Sequence, residues 1–241
     1  MLSFLALTWL IGLIMQQVTA LPPTGQDPGA MQIVIDNFET YRDGGLPTRW
    51  KYLADGRLVD LAPEYMREKE QFYVVNDGGN KVLRVYTDGE AVHLTMPEQD
   101  LAWDLRTHPR LAWDWRALQL PPGAREDVEK KNDTGAGLYV IFAFDGLFIK
   151  RPRAIKYTYS STLPVGTEVS YGKLKVIVVS SGKDGTGAWQ HIDRDVVADY
   201  RRVFGGDPPH RPLSLRLWGD SDNTDSIAEA DFDNIALLPG N

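Results

Sequence analysis

The sequence contains no cysteine among its 241 residues. Without cysteine the chain can form no disulfide bond and can use no thiol as a nucleophile or metal ligand. It also lacks an excess of positive charge, because 26 Lys and Arg stand against 33 Asp and Glu and give a formal net charge of −7. Nucleic acids and anionic membrane surfaces are bound by clustered positive charge. Neither is therefore an expected partner.

The common catalytic motifs are missing as well. The four histidines form neither an H-x-x-x-H nor an H-E-x-x-H pattern, and no G-x-S-x-G or Walker-type loop occurs in the chain. These motifs place zinc ligands, a serine nucleophile and phosphate-binding amides at fixed spacings. The sequence therefore disfavours zinc hydrolases, serine hydrolases of the α/β type and P-loop nucleotide binding.

Long apolar runs are absent except at the start, where Met1 to Met15 contain no charged side chain. The next five residues end at Ala20 with small residues at the −3 and −1 positions, which is typical of a signal peptide cleaved after Ala20. We predict a signal peptide over residues 1–20, a flexible segment over 21–30 and one domain over 31–241, exported to the periplasm or the extracellular space. No Lys or Arg precedes the run, so a retained anchor is the alternative, although Gln16 and Gln17 leave it shorter than the ~20 residues that a span needs.

The remaining chain is a succession of short β-type segments. Seven segments rich in Val, Ile, Tyr, Phe and Trp are separated by Gly, Asp, Asn and Pro. They cover residues 71–75, 81–87, 111–118, 138–144, 154–159, 174–180 and 213–218. This spacing predicts an all-β protein, a two-sheet antiparallel β-sandwich or jelly roll. In the last segment three leucines alternate with Ser214, Arg216 and Trp218, so one face is predicted to be buried and the other to meet solvent or a ligand.

One segment has helical rather than strand periodicity. Between Asp195 and Phe204 the apolar residues recur at the spacing of one helix stripe, which predicts a short amphipathic helix near residues 194–204. Asp193 is the predicted N-cap, and the following Gly205-Gly206 pair supplies the end.

The sequence Leu-Ala-Trp-Asp occurs twice, starting at residues 101 and 111. We predict that the two copies are the strands of a hairpin, with the tryptophans on one face and Asp114 and Arg116 on the other. The charged face has two interpretations, cross-strand ion pairs or the polar floor of a sugar-binding groove. The tryptophans are either core residues or an exposed stacking platform.

The two ends of the domain resemble the first and last strands of galactose-binding-like jelly rolls, a fold that includes many carbohydrate-binding modules. The resemblance lies in residues 33–39 and in residues 230–237. It implies a structural calcium ion held by Asp36, Glu39 and Asp233, a set of hard oxygen ligands that suits Ca²⁺. The alternative is that these acids are turn and edge residues.

Further motifs resemble the bacterial family known as domain of unknown function 3047. They are found at residues 110–116, 131–140, 187–189, 194–205 and 220–224. The resemblance extends from about Asp36 to Leu238 and implies an exported β-sandwich, without any established activity or catalytic residue.

Two functional hypotheses follow. The first is a non-catalytic glycan-binding or envelope-associated sandwich, whose partner is a polysaccharide or a cell-envelope glycan. Its predicted groove is lined by Arg116, Asp133, Trp189, Arg194, Asp222 and Asn223. The second is a glycan-active hydrolase or lyase in which Asp195 and Asp222 act as paired carboxylates.

Overall fold

The computed structural model describes residues 31–146 and 151–240. The predicted signal peptide (1–20) and flexible segment (21–30) lie outside these residues. Within the described part, no helix combines the length and apolarity needed to cross a membrane.

The described residues form a β-sandwich with few helices. Its strands are β1 (Ile33–Asp36), β2 (Lys51–Ala54), β3 (Arg57–Asp60), β4 (Glu70–Asp77), β5 (Asn80–Asp88), β6 (Ala91–Pro97), β7 (Arg110–Gln119), β8 (Thr134–Asp145), β9 (Arg151–Ser160), β10 (Glu168–Tyr171), β11 (Leu174–Ser181), β12 (Gln190–Asp195), β13 (Ser214–Asp220) and β14 (Ile227–Leu238). The α-helices are α1 (Glu98–Leu101) and α2 (Val196–Phe204), and short 3-10 helices cover Pro63–Tyr65, Glu129–Lys131 and Gly182–Asp184.

The strands are divided between two sheets. The six-stranded sheet has the order β12-β7-β14-β5-β4, and β1 also pairs with β14. The eight-stranded sheet has the order β10-β11-β9-β8-β13-β6-β2-β3. All neighbouring pairs among the described strands are antiparallel except β9 and β11, which run parallel. The predicted two-sheet sandwich is confirmed, with this parallel pair as a departure.

The first and last of the described strands pair with each other in the six-stranded sheet. β1 pairs antiparallel with β14, so that Ile33 lies opposite Leu237 and Val34 opposite Ala236. This pairing joins the two segments whose sequence resembles the terminal strands of a jelly roll.

The core lies between the sheets and follows from strand alternation. On β7, Trp113 and Trp115 point inward and are fully buried, whereas Arg116 points to the outer face. From the other sheet, Tyr157 of β9 and Leu217 of β13 are buried in the same cluster. Each large side chain that is fully buried contributes about 1.5–3 kcal/mol to folding, so the alternating pattern fixes which face of each strand is inside.

The predicted helix is confirmed as α2, but its N-cap is different. The carboxylate of Asp195 accepts a hydrogen bond from the N–H of Ala198 at 2.8 Å. Asp193, the predicted cap, instead forms an ion pair with Arg110 of β7. The cap is the residue directly before the first helical turn, where its oxygen reaches a free N–H of that turn.

The hairpin predicted from the repeated Leu-Ala-Trp-Asp sequence is wrong. Leu101 ends α1, and Ala102 follows with a left-handed φ of 48°. Only the second copy forms a strand, within β7. Trp103 is nevertheless buried, and its indole N–H donates to the carbonyl of His108 at 2.6 Å.

Candidate functional site

The outer face of the eight-stranded sheet carries a row of polar and aromatic side chains. Lys156 on β9 lies opposite Tyr139 on β8, and Tyr139 lies opposite Arg216 on β13. Arg216 in turn lies opposite Thr95 on β6. Residues that pair across neighbouring strands point to the same face of a sheet, so these four side chains form one row across four strands.

The Tyr139 ring of this row and two further aromatic rings pack against one another and form an aromatic stack. His93 on β6 is parallel to Trp218 on β13, with 4.6 Å between ring centroids and 9° between ring planes. The ring of Tyr139 lies 4.9 Å from Trp218, and the ammonium of Lys156 lies 5.5 Å from the centre of the Tyr139 ring. The stack therefore spans β6, β13, β8 and β9 and holds these side chains in place.

A cavity of about 280 Å³ opens beside the stack. Its lining combines charged, aromatic and aliphatic side chains: Glu126, Asn132, Tyr139, Ile141, Pro152, Lys156, Tyr171, Leu174, Val176, Arg216, Trp218 and Asp220. The 120–133 loop forms one wall of the cavity through Glu126 and Asn132. The hydroxyl of Tyr171 on β10 donates to the carbonyl of Glu126 at 2.5 Å and holds this loop in position. We call this cavity, with the adjoining His93 and Thr95, the sheet groove.

The sheet groove contains most of the unused hydrogen-bonding capacity of the described chain. Seven buried side-chain nitrogen or oxygen atoms of the described residues have no hydrogen-bond partner. Five of them belong to the sheet groove: His93 Nε2, Thr95 Oγ1, Arg216 Nε, Trp218 Nε1 and Asp220 Oδ1. A buried polar atom without a partner costs about 1–3 kcal/mol, and such atoms are rare in folded proteins. Their concentration on two adjacent strands makes this face chemically distinct.

Burial also shifts the protonation of groups in the sheet groove. Loss of hydration, assisted by the charge of Arg216, lowers the pKa of His93 to about 4, so this ring is neutral at pH 7. Burial likewise lowers the pKa of Arg216. The pKa of Asp220 is raised to about 6 by burial and by the negative charges of Asp222 and Asp133, although Lys156 and the Trp218 indole act in the opposite direction.

The raised pKa of Asp220 predicts a pH-dependent stability. The folded protein binds this proton more tightly than the unfolded chain, so stability is lost as pH rises from about 4 to about 6. Asp220→Asn is expected to match the parent protein at pH 4 and to be more stable by about 1–3 kcal/mol at pH 7.5. Urea unfolding at both pH values measures the difference, and a difference that is the same at both would contradict the assignment.

One end of the sheet groove is acidic. Asp133, Asp220 and Asp222 place one oxygen each within 4.8 Å of one another. Asp133 is fully buried, and its carboxylate accepts the N–H groups of Asn223 at 3.0 Å and of Thr224 at 2.8 Å. It also accepts the Thr224 hydroxyl at 2.5 Å. Asp133 therefore holds the loop between β13 and β14 against the end of the eight-stranded sheet.

The family of the chain can now be stated. The family model described as "Protein of unknown function (DUF3047)" matches residues 61–236. The chain belongs to this family. A comparison with the curated proteins finds no match.

Several solved structures are similar to this DUF3047 protein at low sequence identity. The family 11 carbohydrate-binding module of the cellulosomal cellulase Lic26A-Cel5E of Clostridium thermocellum has a TM-score of 0.45 and 11% identity, over 88% of this chain and 96% of that one. A family 30 carbohydrate-binding module has a TM-score of 0.43 and 12% identity, over 88% and 100%. A family 28 module specific for non-crystalline cellulose has a TM-score of 0.39 and 12% identity, over 89% and 97%.

The six predicted binding residues of this DUF3047 protein do not line one groove. Asp133, Asp222 and Asn223 lie at the acidic end of the sheet groove. Arg116 and Trp189 are on the outer face of the other sheet, where the guanidinium lies 4.8 Å from the centre of the indole ring. The prediction drew these residues from separate sequence motifs, and a motif does not reveal to which sheet of the sandwich its segment belongs.

Arg194 lies in a third place. Its guanidinium donates to the carboxylate of Asp199 at 2.9 and 2.6 Å, and it lines a separate cavity of about 360 Å³ together with Glu168 and Arg202. Asp199 is buried and also accepts the Tyr157 hydroxyl at 2.9 Å. Arg194 thus ties β12 to α2.

The predicted catalytic pair, Asp195 and Asp222, is also separated. Asp195 lies opposite Arg110, whose other neighbour is Leu238 at the end of β14. Asp222 lies in the loop before the start of β14. A strand of this length places its ends about 35 Å apart, whereas paired carboxylates of glycosidases stand about 5–10 Å apart. These two aspartates cannot act on one glycosidic bond.

The predicted calcium ligands are engaged in hydrogen bonds. The buried carboxylate of Asp36 accepts the N–H of Phe38 at 3.0 Å, the hydroxyl of Tyr41 at 2.8 Å and the indole N–H of Trp50 at 3.0 Å. A cation needs oxygen lone pairs that face it, and three donors already point at this carboxylate.

Asp233 and Glu39 are engaged in the same way. Asp233 accepts the side-chain N–H of Asn80 at 2.8 Å and the backbone N–H of Asn234 at 2.7 Å. Glu39 accepts the N–H of Lys81 at 3.0 Å. Among the described residues, the three acids do not form a cluster of candidate metal ligands, and calcium binding by them stays a prediction.

Proposed function

We propose that this protein binds a glycan in the sheet groove without transforming it. The proposal rests on one observation, the five unpartnered polar atoms of the sheet groove. Sugar hydroxyls both donate and accept hydrogen bonds, so a glycan can satisfy donor-only groups such as Trp218 Nε1 as well as the acceptor Asp220 Oδ1. A glycan bound here would supply hydrogen-bond partners that the described residues do not provide.

The rigidity of the site supports the same function. The groups that would contact the glycan stand on paired strands, and the stack of His93, Trp218 and Tyr139 restrains their side chains. Side chains that are already ordered lose little conformational entropy on binding. Aliphatic residues such as Ile141 and Val176 also line the sheet groove, and they suit the C–H faces of a sugar ring.

The proposed partner is a polysaccharide or a cell-envelope glycan. A signal peptide over residues 1–20 would deliver the protein to the compartment that contains such polymers. In this proposal the protein is exported and acts in the periplasm or outside the cell.

One observation favours a second function, a glycan-active enzyme. The carboxyl of Asp220 has a pKa raised to about 6, and a carboxylate oxygen of Asp222 lies within 4.8 Å of it. A raised pKa suits a general acid. The carboxylate of Asp133 beside them already accepts hydrogen bonds from the loop between β13 and β14. Asp220 and Asp222 are therefore the pair at the acidic end that could act as acid and base in glycan cleavage.

Replacing Trp218 with alanine tests the proposed function. On a glycan array, the parent protein is expected to bind a defined set of glycans, and Trp218→Ala is expected to weaken this binding by at least about tenfold, the effect of losing ~1.4 kcal/mol. Trp189→Ala is the matched control, since it removes the same side chain from the opposite sheet. Its binding should equal that of the parent protein.

The same samples distinguish binding from catalysis. Incubation of the parent protein with the bound glycans is expected to release neither reducing ends nor unsaturated products. Release that disappears in Asp220→Asn would establish the enzyme instead. Equal losses of binding in the two tryptophan variants, or a loss in Trp189→Ala alone, would exclude the sheet groove as the site.

A further inference from the structure

We propose that the glycan is acidic and that Arg216 receives its carboxylate in the sheet groove. This inference rests on the proposed function and adds the chemical class of the ligand. It starts from the environment of Arg216, which differs from that of the outward-facing arginines on the other sheet.

Arg216 is a partly buried cation that forms no ion pair with any carboxylate of the described residues. Its buried Nε has no hydrogen-bond partner among the described residues, and the charged form of Arg216 is disfavoured by burial and favoured by Tyr139 beside it. By contrast, Arg84 and Arg116 on the opposite sheet are both paired with Asp231. Burial of an unpaired charge is costly, so an anion at this position would be bound favourably.

The atoms around Arg216 can all donate hydrogen bonds. Thr95 Oγ1 lies opposite it on β6, Trp218 Nε1 belongs to the next outward residue of β13, and His93 lies opposite Trp218. None of these three atoms forms a hydrogen bond of normal geometry with a described residue, although the Trp218 indole lies close enough to Asp220 to lower the pKa of that carboxyl. The guanidinium and the indole N–H can only donate, whereas an ionised carboxylate can only accept. The chemistry of the set therefore matches a carboxylate better than a neutral hydroxyl.

The charge distribution along the sheet groove gives the ligand an orientation. Arg216 and Asp220 are four residues apart on β13, which corresponds to about 13 Å along the strand. At the Asp220 end, Asp133 and Asp222 add further negative charge. Lys156 also lines the sheet groove, but Asp220 and Glu126 lie within its electrostatic reach. The acidic end repels a uronate, so its carboxylate is directed to Arg216.

Matched pairs of polysaccharides test this inference. The probes are polygalacturonate, alginate and glucuronoxylan, each beside its carboxyl-reduced form, which has the same backbone without the charge. Dissociation constants are measured for the parent protein, Arg216→Gln, Arg216→Lys and Trp218→Ala, and melting temperatures verify that each variant is folded. Arg216→Gln is expected to fold, because the substitution removes a partly buried charge that no described carboxylate pairs with.

We expect the parent protein to bind at least one acidic polymer about tenfold or more tightly than its reduced form, the range of one charge-assisted hydrogen bond. Arg216→Gln should lose this preference while keeping weak binding to both forms, and Arg216→Lys should keep part of it. Trp218→Ala should lose binding to both forms.

The outcomes separate the two proposals. Equal binding of acidic and reduced forms, or a preference for acid that persists in Arg216→Gln, overturns the acidic ligand and leaves glycan binding intact. Absence of binding to every polymer in both forms overturns the proposed function itself. Binding of polyglutamate as tight as that of the acidic glycans overturns recognition of the sugar.

Discussion

Replacing Asp231 with alanine is expected to lower the free energy of unfolding by about 3–5 kcal/mol, the usual cost of breaking a buried ion pair by removing one partner. Asp231 lies on β14 and is fully buried. Its oxygens accept from Arg84 at 2.8 and 3.0 Å and from Arg116 at 2.9 Å. The substitution would leave two guanidinium groups without their shared counter-charge on the outer face of the six-stranded sheet.

Urea denaturation measures this loss, and Asp77→Ala is the matched control. Asp77 contacts the same Arg116 at 2.9 Å, but its side chain is 39% exposed. Pairs at the surface contribute about 0–1 kcal/mol, so the control should change stability by no more than that. An equal decrease in the free energy of unfolding in the two variants would show that burial does not determine how much each aspartate stabilises the protein.

The second large effect is expected for Asp36→Ala, with a loss of about 3 kcal/mol or more. The substitution leaves three groups without an acceptor: the N–H of Phe38, the hydroxyl of Tyr41 and the indole N–H of Trp50. Phe38 and Trp50 are fully buried, so water cannot replace the lost carboxylate there. Chemical denaturation measures the change.

The control for Asp36 distinguishes hydrogen bonding from calcium binding. Glu39→Ala removes an exposed acid of the predicted calcium set and is expected to leave stability within about 0.5 kcal/mol of the parent value, as for most surface substitutions. EDTA is expected to leave the melting temperature unchanged. A decrease with EDTA that added Ca²⁺ reverses would show that an ion, rather than the three donors, satisfies Asp36.

Much of the fold could be predicted because the residue pattern is local information. The alternation of leucines with Ser214, Arg216 and Trp218 correctly predicted a buried and an outward face of β13, and the 3.6-residue period correctly predicted α2. The failure of the predicted hairpin has a local cause too. Two copies of Leu-Ala-Trp-Asp adopt different structures because the first follows Pro97 and a helical turn, while the second pairs along its length with β14.

The site was harder to predict because strand register creates it. Arg216, Tyr139 and Lys156 are far apart in sequence and meet through the order of β13, β8 and β9. Tyr139 and Lys156 belong to segments whose apolar composition predicts burial. The composition therefore does not indicate that these two side chains lie on the outer face. The outward alternation of Arg216 and Trp218 was the one local signal of the sheet groove, and it did not indicate which residues of other strands would join them.

The position of β14 has a consequence for how the protein folds. This strand is the last along the chain, yet it pairs with β1, β5 and β7. Until residues 227–238 have been synthesised, these three strands lack the strand that joins them. β1 can pair only with a segment about two hundred residues further along the chain. Pairings so distant in sequence slow folding. The six-stranded sheet can therefore be completed only once residues 227–238 are available to pair with the three earlier strands.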